Sequence, residues 1–266
     1  MDFQIKDKYG VDDLRAIMEM LRGEGGCPWD REQTHKSIRR DLIEEAYEVI
    51  EAIDTDDAKL LEEELGDLLL QVVFHARISE EAGDFSLDEV SDGICKKLIL
   101  RHPHVFGDVQ LNSSGEVLDN WEKIKKEEKQ RNTLTDDLKA IPPMLPSLMR
   151  AQKIGKKAKN FDFDSAGSAY EKVLEECAEI RDAIDRADAE NIKEEIGDLL
   201  FSIANMARKL GVDCEEALNY TNEKFIRRVS FMEPLIEADG KSFKDMTLEE
   251  LDVYWDIVKK AERGEK

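Results

Sequence analysis

The sequence is poor in the features that would staple, flatten or membrane-anchor a chain. Its 4 cysteines (Cys27, Cys95, Cys177 and Cys214) are scattered through 266 residues without a CxxC pair, so neither a zinc cage nor a disulfide framework is expected. Long runs of alternating β-branched residues are absent, and only 6 prolines interrupt the chain. No apolar run approaches the length of a membrane span, and the opening MDFQIKDKYG lacks the features of a signal peptide. The expectation is a cytoplasmic protein with reduced thiols and no membrane partner. Positive charge is also scarce, with 39 Lys and Arg against 61 Asp and Glu, a net charge of −22. A general surface for a nucleic acid polymer needs local positive charge and is not expected. A small anionic ligand held through bound cations remains open.

What is present favours helix. Leu, Ile, Ala, Glu and Lys dominate the pattern, and the class expected is all-α. Helices are expected near residues 11–23, 34–54, 57–82, 87–101 and 115–131, then near 147–159, 165–187, 189–211, 213–238 and 247–262. Gly83 and Gly211 stand where glycine commonly ends a helix.

The two sets of helices are copies. ELGDLLLQVVFHA (64–76) matches EIGDLLFSIANMA (195–207), and LIEEAYEVIEAI (42–53) matches VLEECAEIRDAI (173–184). Both matches have the same offset, 131 positions, and no gap separates them. Further on, KKLILR (96–101) parallels EKFIRR (223–228), and WEKIK (121–125) parallels WDIVK (255–259). The chain therefore reads as a tandem of two helical-bundle units, 1–131 and 147–266. Between them, 132–146 reads as a linker broken by Pro142, Pro143 and Pro146.

The acids are the informative part of each copy. Glu45 and Glu48 are three apart and lie one turn apart on one side of a helix, and Glu64 and Asp67 repeat the spacing on the next. Each pair flanks an apolar stripe, Leu42, Ala46, Val49, Ile50 and Ile53 on the first helix and Leu61, Leu65, Leu68, Leu69 and Val72 on the second. A short link makes the helices antiparallel neighbours, so the stripes are expected to meet and the acids to converge at the seam. Two carboxylates about 5 Å apart repel by roughly 3 kcal/mol at an effective dielectric near 20. A divalent cation turns that repulsion into attraction, and an all-oxygen set suits Mg²⁺, with Mn²⁺ as the alternative. A lone ExxE in so acidic a chain is most simply a solvated face. The recurrence at Glu176, Glu179, Glu195 and Asp198 favours a site, because the copies differ at many positions between the acids, such as Tyr47/Ala178 and His75/Met206.

A metal site of this kind suggests a phosphate ligand. Lys97, Arg101 and Lys125 in the first copy, or Lys224, Arg228 and Lys259 in the second, can bind phosphate oxygens, and Trp121 or Trp255 can stack on a base. Taken singly, each lysine is more simply a solvated surface group and each tryptophan a core anchor.

The ExxE…ExxD pattern, with its preceding glutamates in EEAYE and EECAE, resembles the MazG family of nucleoside triphosphate pyrophosphohydrolases. GCPWDREQTHKSI (26–38), RHPHVFGD (101–108) and LMRAQKIGKKA (148–158) resemble further family segments in the expected order, so the likeness covers almost the whole chain. The resemblance implies Mg²⁺-dependent hydrolysis of NTPs and dNTPs between the α and β phosphates, giving the monophosphate and pyrophosphate. It also implies broad base tolerance, compatible with clearing the nucleotide pool, and a homodimer. By motif position it implies metal ligation by Glu45, Glu48, Glu64 and Asp67 and by Glu176, Glu179, Glu195 and Asp198. It implies nucleotide contact by Lys224, Arg228, Trp255 and Lys259. In several family members the second unit carries most of the activity, and Leu100 stands here where the second unit has Arg227. Glu45 and Glu176 are the expected water-orienting groups, with Glu44 and Glu175 as weaker candidates. A narrow dUTP or dCTP pyrophosphatase and a non-catalytic nucleotide-sensing adaptor are the competing readings.

Overall fold

The computed structural model describes residues 4–129 and 133–264, and no strand occurs among them. The chain divides into two compact units, Met1–Glu128 and Lys129–Lys266. The first runs α1 (Val11–Arg22), α2 (Pro28–Glu32), α3 (Arg39–Asp54), α4 (Ala58–Ala82), α5 (Leu87–Arg101), α6 (Pro103–Phe106) and α7 (Ser114–Glu128). In it α1, α3 and α5 pack on α4, and α7 packs on α5. The second runs α8 (Leu134–Lys139), α9 (Ser147–Lys157), α10 (Ala166–Asp185), α11 (Ala189–Lys209), α12 (Cys214–Ala238) and α13 (Leu248–Glu262). There α9, α10 and α12 pack on α11, and α13 packs on α12.

The hairpin that carries the acids turns in the same way in both units. Asp57 caps α4 by accepting from the amides of Lys59 and Leu60, and Asp188 caps α11 by accepting from the amide of Asn191. The residue before each cap is left-handed, Asp56 at φ 53° and Ala187 at φ 52°. That twist lets the cap amide return to the carbonyl of the preceding helix, Asp57 to Ala52 and Asp188 to Ala183, each at 3.1 Å. Ala52 and Ala183 are buried, so the small side chain is what lets the helices close at this end.

Each unit has its own small core. Met18, Ile38, Val73 and Phe74 form it in the first, joined by Leu14, Leu70, Ile78 and Leu87. The second has one cluster around Ala151, Ala204, Ala207 and Cys214 and another around Met232, Ile236, Tyr254 and Val258. Gly155 marks the close approach of α9 to α11. A Cβ there would stand 1.9 Å from the Asn205 carboxamide oxygen, and Asn205 is itself buried and tied to the Phe201 carbonyl.

Three expectations need correction. Residues 133–146 are not a free linker: Thr133 caps α8, Asp137 and Ile141 are buried, and α8 packs on α9 within the second unit. Leu134, Leu138 and Ile141 give the segment an apolar side, and the prolines only end its helix. The boundary between units accordingly falls after Glu128, while residues 130–132 lie outside the described residues. The second helix begins at Arg39 rather than residue 34, because Thr34 and Ser37 bond each other's backbone amides in a turn. Finally, the apolar stripes meet only in part. Leu42, Ala46, Val49, Leu61 and Leu68 are half-buried, whereas Ile50, Ile53, Leu65, Leu69 and Val72 are exposed. Among the described residues, no helix is long and apolar enough to cross a membrane.

One ion cluster predicts a local stability effect. Asp162, on the segment between α9 and α10, accepts from Arg208 and lies 2.8 Å from the Lys209 ammonium. The Arg208 hydrogen bond, then the Lys209 bond and both positive charges, pull its carboxyl down to about 2 against the cost of burial. A depressed carboxyl contributes stability above its unfolded value near 3.8 and loses it as pH falls through about 2. With roughly a quarter of the side chain exposed, Asp162→Asn is expected to cost about 1 kcal/mol at pH 7, and much less near pH 2. Urea unfolding at the two pH values measures this, and equal midpoints at pH 7 would refute it.

Candidate functional site

The seam between α3 and α4 gathers Glu45, Glu48 and Glu64, each offering a carboxylate oxygen, all within 4.8 Å of one another. The seam between α10 and α11 gathers Glu176, Glu179 and Glu195 in the same way. Helix geometry explains the convergence. The i, i+3 pair on each first helix stacks over one turn, and the capped hairpin brings the facing glutamate of the second helix level with it.

The fourth predicted member of each set stands apart. Asp67 is half-buried and close enough for its charge to raise the carboxyls of Glu45 and Glu64, but it is outside the trio. Asp198 is exposed and outside its trio. An aspartate is one methylene shorter than glutamate, so from the same helix face its oxygens stop further from the seam. Glu44 and Glu175 are exposed, as are Glu62 and Glu63.

Three carboxyls of the trios, Glu45, Glu64 and Glu179, are pushed above their ordinary value. Burial, the hydrogen bond to Glu48 and the charges of Asp67 and Glu48 raise the carboxyl of Glu45. Burial and the charges of Glu48, Glu63 and Asp67 raise that of Glu64. Burial, the bond to Glu176 and the charge of Glu195 do the same to Glu179. Glu176 is the most enclosed acid, at 3 % exposure. The donor chemistry and spacing fit a divalent metal ion: hard oxygen ligands, able to approach a common centre, and each trio leaving positions open for water and phosphate.

The basic and aromatic residues form a second constellation on the neighbouring helices. In the first unit Arg101 lies over the Trp121 ring at 6.0 Å and pairs with Glu128 at 2.7 Å. In the second Arg228 lies over Trp255 at 5.1 Å and pairs with Glu262 at 2.8 Å. Arg227 joins Glu262 at 3.2 Å, a contact that the exposed Leu100 cannot copy. Trp255 also packs on the Tyr254 core cluster, so it anchors as well as presents a ring. Lys97, Lys125, Lys224 and Lys259 are half-buried on the same helices. Lys224 sits 5.5 Å from the Tyr220 ring, and Lys259 lies 3.4 Å from Asp256. Because α5 packs on α4 and α12 on α11, the helices of Lys97 and Arg101 and of Lys224 and Arg228 adjoin acid-bearing ones, while Lys125 and Lys259 sit one helix further out on α7 and α13.

Sequence reasoning passed over five contributors. Glu128 and Glu262 each follow the tryptophan by seven positions, and the WEKIK match carried three residues further would have exposed them. Gln71, buried one turn beyond Asp67, bonds the Glu45 carboxyl. Lys172 lies 2.9 Å from Glu176 and 2.8 Å from Glu175. Asn191 donates to Glu195 at 2.7 Å, where the first unit has Leu60. Elsewhere, His35 and His75 stack with their Nδ1 atoms 2.7 Å apart, and Ser79 lies 3.2 Å from His35. His102 caps α5 and Pro103 opens α6, so HPH is a helix junction.

Two helical units, each with a carboxylate trio at a hairpin seam and an Arg–Trp–Glu group beside it, define a tandem all-α protein with two candidate metal centres. The family model described as the MazG nucleotide pyrophosphohydrolase domain matches residues 33–106 and 164–230, together more than half of the chain. A relative from Thermotoga maritima, described as nucleoside triphosphate pyrophosphohydrolase/pyrophosphatase MazG, is 45% identical over 250 residues, covering 93% of this chain and 95% of its own. The nucleoside triphosphate pyrophosphohydrolase of Escherichia coli K12 is 44% identical over 259 residues, covering 95% and 98%. The solved structure of a MazG-related protein from Thermotoga maritima is 28% identical over 44% of this chain and 99% of its own, with a TM-score of 0.38. The chain belongs to the MazG family.

Proposed function

We propose that the protein hydrolyses nucleoside triphosphates, and their deoxy forms, at the bond between the α and β phosphates. The observation that carries the reading is the paired trio, Glu45–Glu48–Glu64 and Glu176–Glu179–Glu195, kept at one geometry in two divergent copies. The names of the Thermotoga and Escherichia coli relatives support the substrate class. Each trio would hold Mg²⁺ or Mn²⁺, with Asp67 and Asp198 as outer contributors.

A bound divalent ion supplies charge neutralisation and Lewis acidity for the triphosphate. The chain supplies the rest. Glu45 and Glu176, raised or enclosed carboxylates at the seam, orient the attacking water and take its proton. The water oxygen bonds to the α phosphorus, the bridging bond to the β phosphate breaks, and pyrophosphate leaves. Arg101 and Arg228, with Lys97, Lys125, Lys224 and Lys259, neutralise the departing group. Trp121 and Trp255 offer a ring face that any base can stack on, which supports broad base tolerance.

The exposed apolar rows support a homodimer. Ile43, Tyr47 and Ile50 on α3 and Leu65, Leu69 and Val72 on α4 follow helical spacing yet face outward, and Leu174, Ile196 and Leu200 repeat this in the second unit. Contiguous apolar rows of this kind mark an interface more often than a bare surface.

The test is a panel of ribo- and deoxyribonucleoside triphosphates with Mg²⁺, resolving monophosphate plus pyrophosphate from diphosphate plus phosphate. Expected are the former products, similar rates across bases, loss of turnover in EDTA, and a KM raised about tenfold by Arg228→Ala or Arg101→Ala at the unit in use. Turnover confined to dUTP or dCTP would replace broad tolerance with a narrow enzyme. Nucleotide binding without turnover would leave a sensing adaptor.

A further inference from the structure

The two carboxylate trios differ in a charged neighbour on the first helix of each pair. On α10 the Lys172 ammonium lies 2.9 Å from Glu176 and 2.8 Å from Glu175, the i, i+4 and i, i+3 neighbours. Glu176 is the enclosed member of its trio, so this contact reaches the innermost carboxylate and not only the rim. The lysine side chain itself remains about a third exposed, which leaves it room to swing outward. At the corresponding position of the first unit, one helical turn before Glu45, stands Asp41. The charged neighbours that bear on Glu45 are acids, Asp67 and Glu48, and its one favourable contact is the neutral Gln71.

We infer that Lys172 is the resident counter-ion of the second trio, which a divalent cation must displace, so that the two centres of one chain bind metal unequally. A carboxylate already neutralised by an ammonium gains less from a metal ion than one facing only other acids. The first trio therefore fills at lower metal concentration than the second. The second is a gated centre: metal entry requires the Lys172–Glu176 pair to open. This rests on the reading that both trios hold a divalent ion.

Mn²⁺ titration of the full chain by calorimetry, checked by the electron paramagnetic resonance of free Mn²⁺, tests it without using activity. Glu48→Gln with Glu64→Gln isolates the second trio, and Glu179→Gln with Glu195→Gln isolates the first. The isolated first trio is expected to bind Mn²⁺ about tenfold more tightly than the isolated second. Lys172→Met, made beside an intact second trio, is expected to tighten that centre about tenfold, and Asp41→Lys to weaken the first by a similar factor. The two substitutions act in opposite directions, so a general loss of folding cannot imitate the pattern. Unchanged or weaker binding at the second trio in Lys172→Met overturns the inference and leaves Lys172 as a support for the Glu176 side chain. No Mn²⁺ binding in the wild type, or binding that survives removal of both trios, removes the metal reading itself and the inference with it.

Discussion

Glu45→Gln combined with Glu176→Gln is expected to lower metal-dependent pyrophosphate release by at least roughly a thousandfold. Glu176 is the buried glutamate of its trio and Glu45 a half-buried one with a raised carboxyl, and the proposed mechanism has each hold metal and take the proton of the attacking water. The single variants assign the work: whichever one abolishes turnover names the active unit, and two half-active singles make both units active. Folding serves as the control, and here the sign is informative. The Glu45 carboxyl is raised above its ordinary value, chiefly by burial. A raised carboxyl favours the folded state while it is protonated, and that contribution is lost as pH rises through its folded value. At pH 7 the ionised group is therefore a liability in the metal-free chain. Glu45→Gln is expected to melt no lower than the wild type at pH 7 in EDTA, with any advantage fading toward pH 4. Undiminished pyrophosphate release in the folded double variant would rule out the catalytic assignment.

Leu69→Glu with Leu200→Glu is expected to convert the proposed dimer into single chains of 30.5 kDa. Both leucines stand outward on acid-bearing helices, at 37 % and 48 % exposure, between equally exposed neighbours. Water already reaches these positions in one chain, so a glutamate there costs the isolated fold little. Buried unpaired in an interface between copies, the same charge costs several kcal/mol. Sedimentation at micromolar concentration reads the result, and a wild-type chain that sediments at 30.5 kDa would sink the dimer. Because α4 and α11 also carry Glu64 and Glu195, activity is expected to fall with assembly.

The sequence stated its own architecture unusually clearly, because it states it twice. The 131-residue offset located both hairpins, and Asp57 and Asp188 cap the expected helices. The pairing of acids was also legible, since helix periodicity alone puts Glu45 beside Glu48 and Glu176 beside Glu179. Other features were read less well. The prolines at 142, 143 and 146 suggested a linker, yet a proline only ends a helix; whether the residues before it pack depends on neighbours such as α9. The apolar stripes suggested one interface, yet a helix with a broad apolar face has two sides to cover, and spacing does not say which side meets the partner helix in the same chain.

By itself, then, the sequence determined the helical class, the duplication and the family likeness. All three follow from local periodicity and from comparison of the chain with itself. Only the tertiary structure decided the membership of each site, because that depends on how far side chains reach across a seam. It drew Glu64 and Glu195 into the trios and left the shorter Asp67 and Asp198 outside. It gave Arg101 and Arg228 their tryptophans and glutamates from distant helices. It also placed Lys172 on the enclosed Glu176, an asymmetry between the copies that repeat matching alone had left unremarked.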